Sequence, residues 1–150
     1  MQLDYTDWQL LEALQKDARL SFSELGRRVG LSPPAVTERV RKLEESGIVA
    51  GYGADLNPGA VGLPILAFIQ LTTSPEHYPQ VTALMQELPE ILECHHVTGN
   101  TSFVVRAIAS SLAHLEQIIG KLSQYGQTST SVVLSSPVTK KPIASRLITR

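Results

Sequence analysis

The stretch LSPPAVTERVRKLEESG, from Leu31 to Gly47, constrains this chain more than any other, because both ends of a helix are written into it. Ser32 offers a hydroxyl that can accept from a free first-turn amide, and Pro33 suits the first helical position, where no N–H is missed. Gly47 can take the left-handed conformation that stops a helix. On a helical wheel Val36, Val40 and Leu43 form an apolar stripe, while Pro34, Thr37, Glu38 and Arg41 form the opposite face. The outward face carries a guanidinium, a carboxylate, a hydroxyl and a methyl, which are groups a DNA major groove can engage. Read alone, the same segment also fits a surface helix of any small domain.

The preceding residues favour the DNA reading. Thr6 stands three residues before Gln9 as a capping box, and Trp8, Leu11 and Leu14 make an inward stripe, with Asp4 and Asp7 at the positive end of that helix. A second box, Ser21 with Glu24, opens another short helix with Leu25 and Val29 inward and Gly30 as its stop. Only Leu31 and Ser32 separate it from the third. Three short helices with a tight turn between the last two describe a helix-turn-helix.

After Gly47 the period changes. Ile48 to Leu56 reads as an extended, β-prone wing or connecting strand, broken by Asn57-Pro58-Gly59. The remainder alternates strand, helix, strand, strand, helix, strand. Its elements are Leu63–Thr73, a helix capped at Ser74-Pro75, Ile91–Thr98, Phe103–Ala109, a helix capped at Ser110 or Ser111, and Thr128–Ser135. That order is the ferredoxin-like split motif, so the fold class is α+β. The expected domains are 1–47, a helix-turn-helix head; 48–62, a hinge; and 63–150, a βαββαβ regulatory and assembly domain. In the first strand Leu66 and Phe68 oppose Ile65, Ala67, Ile69 and Leu71, and Val104 and Ile108 oppose Phe103 and Val105. Helices cover one face of such a sheet, so the other face calls for a second copy of the chain. A two-fold dimer would present two recognition helices, as a palindromic site requires.

Charge is local rather than global. The net charge of −1 conceals six Lys/Arg against two acids between Arg19 and Lys42, and Lys140, Lys141, Arg146 and Arg150 follow Glu116 with no further acid. One cysteine excludes an internal disulfide, no apolar run spans a membrane, and MQLDYTDW lacks the features of a secretion signal, so a cytoplasmic location is expected. Cys94, His95 and His96 suggest a metal, but adjacent strand residues point to opposite faces and no set of ligands is completed, so no metal is expected. No nucleophile elbow or phosphate-binding glycine loop is present, and no catalytic residue is assigned.

Asp4 to Leu14, Arg19 to Leu25, the run LSPPAVTERVRKLEESGIVAGYGADLNPGAVG and the βαββαβ remainder together resemble the Lrp/AsnC, or feast/famine, family of prokaryotic transcription factors. The resemblance implies a winged or plain helix-turn-helix, and a C-terminal domain that binds amino acids or related metabolites. It further implies dimers that assemble into higher even-numbered particles, octamers among them, with ligands held near the loop joining the second and third strands. In this chain that loop is Gly99-Asn100-Thr101-Ser102, with Ser102 where the family often has aspartate. Serine brings no charge to a ligand's ammonium.

The DNA-binding candidates are therefore Thr37 and Arg41 for bases, with Pro34 and Glu38 on the same face. Arg27, Arg28 and Lys42 are assigned to phosphates, and Ser32 to a cap with a second role at phosphate. Arg39 lies nearer the apolar edge, where a structural pairing with an acid is at least as natural. Gly99, Asn100, Thr101 and Ser102 are the effector candidates. The expected function is a sequence-specific DNA-binding regulator, not an enzyme, modulated by a small metabolite such as an amino acid. The alternatives are a dimeric ferredoxin-like enzyme, with His95 or His96 as its base, and a sensing or assembly module that no longer binds DNA.

Overall fold

The computed structural model describes residues 2–147. The first three helices are α1 (Tyr5–Lys16), α2 (Phe22–Val29) and α3 (Pro33–Glu45). Asp4, rather than Thr6, caps α1: the Asp7 N–H donates to Asp4 Oδ1 at 2.8 Å and the Asp4 N–H to Asp7 Oδ2 at 3.0 Å. Two carboxylates three residues apart satisfy each other's backbones and also face the positive helix end, so they win over the neutral Thr6–Gln9 pair. Its inward residues are Leu10, Leu11 and Leu14, and Trp8 is only half-buried. The Ser21–Glu24 box opens α2, and Gly30 closes it at φ 70°.

Ser32 stands at the N-cap of α3, but its hydroxyl makes no capping bond. Pro33 and Pro34 occupy the first two positions and have no N–H to offer, so half of the four free first-turn donors are absent from the start. Gly47 ends the helix region at φ 72°, and the Val49 N–H returns to Leu43 O at 3.0 Å. Leu10, Leu14, Leu25, Val36 and Val40 form the small core of this head. The expected strand at Ile48–Leu56 is absent: the stretch is irregular. A β-prone run without a partner ladder leaves its backbone to water, and Gly51 and Gly53 weaken it further.

The second body holds β1 (Ile65–Thr72), α4 (Tyr78–Glu87, entered through a single tight turn at Pro75–His77), β2 (Ile91–His96), β3 (Phe103–Ala109), α5 (Leu112–Leu122) and β4 (Gln127–Val132). The sheet order is β2-β3-β1-β4, antiparallel throughout. Ala67, Ile69 and Leu71 of β1 register with Ala107, Val105 and Phe103 of β3 and pack with Val81, Met85, Leu115, Ile118 and Leu122 from the helices. The opposite face of β1 carries Phe68, which is 41% exposed. A bulge between Ile91 and Glu93 switches the alternation of β2, so Cys94 and His96 face the helix side and His95 the other. Ser111 caps α5, and His114 ties the junction by bridging Ser110 (Nδ1 to Oγ, 3.1 Å) and Glu90 (Nε2 to Oε1, 3.0 Å).

The chain forms two compact units: one from the residues up to Ala54 together with those from Val138 onward, the other Asp55–Pro137. The division at residue 54 falls within the stretch 48–62, and the segment from Val138 groups with the three helices.

The turn between α2 and α3 is built on a close approach. The Leu31 N–H donates to Gly26 O at 2.9 Å, and a Cβ on Gly26 would stand 2.4 Å from Leu31 O. Gly26→Ala is therefore expected to destabilise the head by about 1–3 kcal/mol, the usual cost of overpacking. Hydrogen exchange confined to α1, α2 and α3 would check it, since β1–β4 should stay protected.

Candidate nucleic-acid interface

Burial of Val36, Val40 and Leu43, none more than 2% exposed, turns Pro34, Thr37, Glu38, Arg41 and Lys42 of α3 outward, and all five are exposed. Arg27 and Arg28 at the end of α2 are exposed as well, as is Ser32. The sequence-derived DNA candidates are thus brought to the surface of one three-helix head.

Their chemistry is more specific than the sequence alone suggests. Arg41 is held on both sides: its Nη2 and Nε donate to Glu38 at 2.9–3.2 Å, and its Nη1 donates to Glu45. Lys42 Nζ lies 3.4 Å from the same Glu38. The Arg41 contact, then Lys42, hold the Glu38 carboxyl below its ordinary range, and Glu38 ahead of Glu45 raises the Arg41 guanidinium. Glu38 thereby grips the Nε–Nη2 edge of the guanidinium and orients its plane. Glu45, which sequence reasoning passed over, sits four residues beyond Arg41 and was detectable from that spacing. The Thr37 hydroxyl donates to Pro33 O at 2.9 Å, so it presents a methyl and acceptor lone pairs to a partner rather than a donor.

Arg39 is structural. Its Nη1 reaches Asp4 Oδ2 and Asp7 Oδ1, each at 2.7 Å, and Asp7 is only 3% exposed. One guanidinium joins the middle of α3 to the first turn of α1. Behind α3, Tyr52 Oη donates to Glu44 at 2.7 Å; burial, then the neighbouring carboxylate, push its hydroxyl up to about 12, so it remains a donor at neutral pH.

In the sheet unit, the effector candidates divide. Gly99, at φ 99°, and Asn100 are exposed at the β2–β3 turn, and the Thr101 hydroxyl lies 3.5 Å from Gln70 Oε1. Ser102 is buried: its hydroxyl accepts from Thr73 N and donates to Thr73 O, both at 3.0 Å, while its own N–H donates to Leu71 O. Its role is to fasten the turn to β1. A shallow cleft of about 360 Å³ between α4 and β2 is lined by Met85, Ile91, Cys94, His96 and Phe103 among others. His95 does not share that cleft, so the two histidines offered as bases for an enzyme do not converge. Burial raises the Cys94 thiol, which disfavours a reactive thiolate.

Comparison with known proteins gives concordant results. Residues 3–44 match the AsnC-type helix-turn-helix domain and residues 66–143 the Lrp/AsnC ligand binding domain. The HTH-type transcriptional regulator LrpC of Bacillus subtilis is 40% identical over 93% of this chain and 97% of its own length, and its solved structure superposes with a TM-score of 0.89. The leucine-responsive regulatory protein of Escherichia coli is 37% identical over 88% of this chain and 85% of its own. A transcriptional regulator of Neisseria meningitidis, solved in complex with L-Met, is 31% identical over 97% of this chain and 99% of that one, with a TM-score of 0.90.

The Asp4–Asp7–Arg39 lock makes a pH prediction. The Asp7 N–H, then Arg39, hold the Asp4 carboxyl below its ordinary range. A depressed folded-state value means the stabilisation is present above the unfolded pKa, about 4, and is lost as pH falls through the folded value. Protection factors of the head amides, corrected for the intrinsic exchange rate, should fall below about pH 4, and Arg39→Ala should flatten that response. At neutral pH the same substitution is expected to cost about 1–2 kcal/mol, because it strands the buried Asp7 charge, with a discount for the partial exposure of Arg39.

Proposed function

The chain belongs to the Lrp/AsnC family of DNA-binding transcriptional regulators, and from that premise we propose that α3 is its base-reading element. The observation that carries the reading is the outward ridge of Thr37, Glu38 and Arg41 above a fully buried stripe. Arg41 donates to the guanine major-groove edge while Glu38 orients it. Thr37 meets a thymine methyl or accepts from an amino group. Lys42, Arg27, Arg28 and the start of α3 at Ser32 neutralise phosphates, which gives the salt-sensitive part of the affinity. Pro34 shapes the first turn of the ridge and contributes apolar surface to the groove.

The sheet unit assembles the protein and senses a metabolite. The unpaired face with Leu66, Phe68 and Val104 supports a homodimer closed face to face, and higher even-numbered particles built from it. A complex of one relative with L-Met supports an amino-acid effector for this chain too. The exposed Gly99 and Asn100, with the half-buried Thr101 beside them, are the groups proposed to meet it, and Ser102 holds their turn. Its ammonium would find no carboxylate in that turn. The effector acts by favouring one assembly and so shifting the spacing of the heads. Among the described residues no helix is long and apolar enough to cross a membrane. The working location is the prokaryotic cytosol, on the nucleoid.

Two experiments test this. Duplexes enriched by the unaltered protein from a random-sequence pool should share a motif, and Arg41→Ala should weaken binding to them about five- to a hundredfold with a smaller loss on unselected DNA. Equal loss on both would move Arg41 to the phosphates. Light scattering with and without a panel of amino acids should show an even-numbered particle whose size or DNA affinity responds to at least one of them, while Phe68→Asp should reduce it to smaller species.

A further inference from the structure

The head is less cationic than its task demands. The residues up to Ala54 contain seven Lys/Arg against eight Asp/Glu. Several of the cations have acidic partners: Arg39 holds Asp4 and Asp7, Arg41 holds Glu38 and Glu45, and Lys42 approaches Glu38. The residues from Asp55 to Pro137 carry two Lys/Arg against six acids. The strongly basic remainder begins at Val138, with Lys140, Lys141, Arg146 and Arg150 and no acid, and this segment belongs to the same compact unit as the head. Its described cations, Lys140, Lys141 and Arg146, take the unit from net −1 to net +2.

The segment is fastened to α1 by specific bonds. The Gln15 side-chain amide donates to Ile143 O at 3.1 Å, and its oxygen accepts from Ile143 N at 2.8 Å, the two-bond pairing that a neighbouring strand would make. One turn earlier on α1, Glu12 Oε1 accepts from the Ser145 N–H at 3.4 Å, with Ser145 Oγ at 3.5 Å. A short turn at Ser145–Leu147 follows. Lys140, Lys141 and Arg146 remain exposed in this docked path.

We propose that the segment from Val138 is a phosphate-binding arm docked on α1, contributing Lys140, Lys141 and Arg146 to the contact between the head and the DNA backbone. It rests on the DNA-binding reading of the head and extends it. Phosphate contacts carry no sequence information, so the arm raises affinity on every duplex and leaves base choice to α3. Docking matters because a held arm loses less freedom on binding than a loose one.

The test uses the full chain with Lys140→Gln, Lys141→Gln and Arg146→Gln combined, and duplexes selected by the unaltered protein beside unselected ones. Each lost phosphate contact lowers the log–log salt slope by about 0.9, so a fall of about 2–3 per head is expected. Affinity near 0.1 M salt should drop at least about tenfold by the same factor on both duplexes. An unchanged slope, or a loss confined to the selected duplex, overturns the proposal. Gln15→Leu keeps every arm charge and removes the pairing with Ile143; a loss of about three- to tenfold is expected, and full affinity would overturn the docked geometry. Failure of the DNA reading itself is a separate result: the unaltered protein would enrich no duplex at all.

Discussion

Burying Val36, Val40 and Leu43 fixes how the third helix is rolled about its own axis, and nearly everything else in the head follows from that roll. Each such side chain taken fully out of water contributes about 1.5–3 kcal/mol, far more than an exposed ion pair on the same helix. The polar ridge is outward because turning it inward would expose those three residues and bury a guanidinium and a carboxylate. Arg39, at the border of the two faces, removes the remaining freedom. Its bond to Asp4 and Asp7 ties the helix to the cap of α1, so the orientation of the ridge and the start of the domain are settled by the same atoms.

The exposed face is tempered by its own acids. Arg41 stands between Glu38 and Glu45, so meeting a base exchanges at least one intramolecular contact for an intermolecular one. Since exposed pairs of this kind are weak, the exchange is easy, and it favours a regulator that can leave its site. The net negative charge of the residues up to Ala54 points the same way, and the basic arm on α1 offsets it. On the proposed reading base choice lies with α3, while the phosphate contacts are shared between Arg27, Arg28 and Lys42 of the head and the arm.

The sheet unit follows a different logic. Its core needs only one face of β1 and β3, where Ala67, Ile69, Leu71, Val105 and Ala107 lie under two helices. The other face keeps Phe68 partly in water, and that exposed ring is the observation on which the proposed homodimer rests. Ser102 shows how one substitution changes meaning in context. As a residue in a ligand loop it looked like a weak ligand contact, but its hydroxyl is consumed by both backbone groups of Thr73.

Much of this was legible in the sequence. The stripe on α3, the Ser21–Glu24 box, the left-handed stops at Gly30 and Gly47, and the order of strands and helices are periodicities and local bonds within a few residues of one another, which a linear reading contains. What tertiary structure decided were matters of partnership between distant residues. Whether Ile48–Leu56 became a strand depended on a neighbouring ladder, and among the described residues of the chain none pairs with it. That Asp4 caps α1 rests on its local exchange of bonds with Asp7, but the pairing of both with Arg39, more than thirty residues away, was not legible. Glu45 lies one turn beyond Arg41 and is within reach of a linear reading; Gln15 with Ile143, separated by 128 positions, is not. Local bonds write themselves into spacing. Contacts across the chain exist only once folding has brought their two ends together.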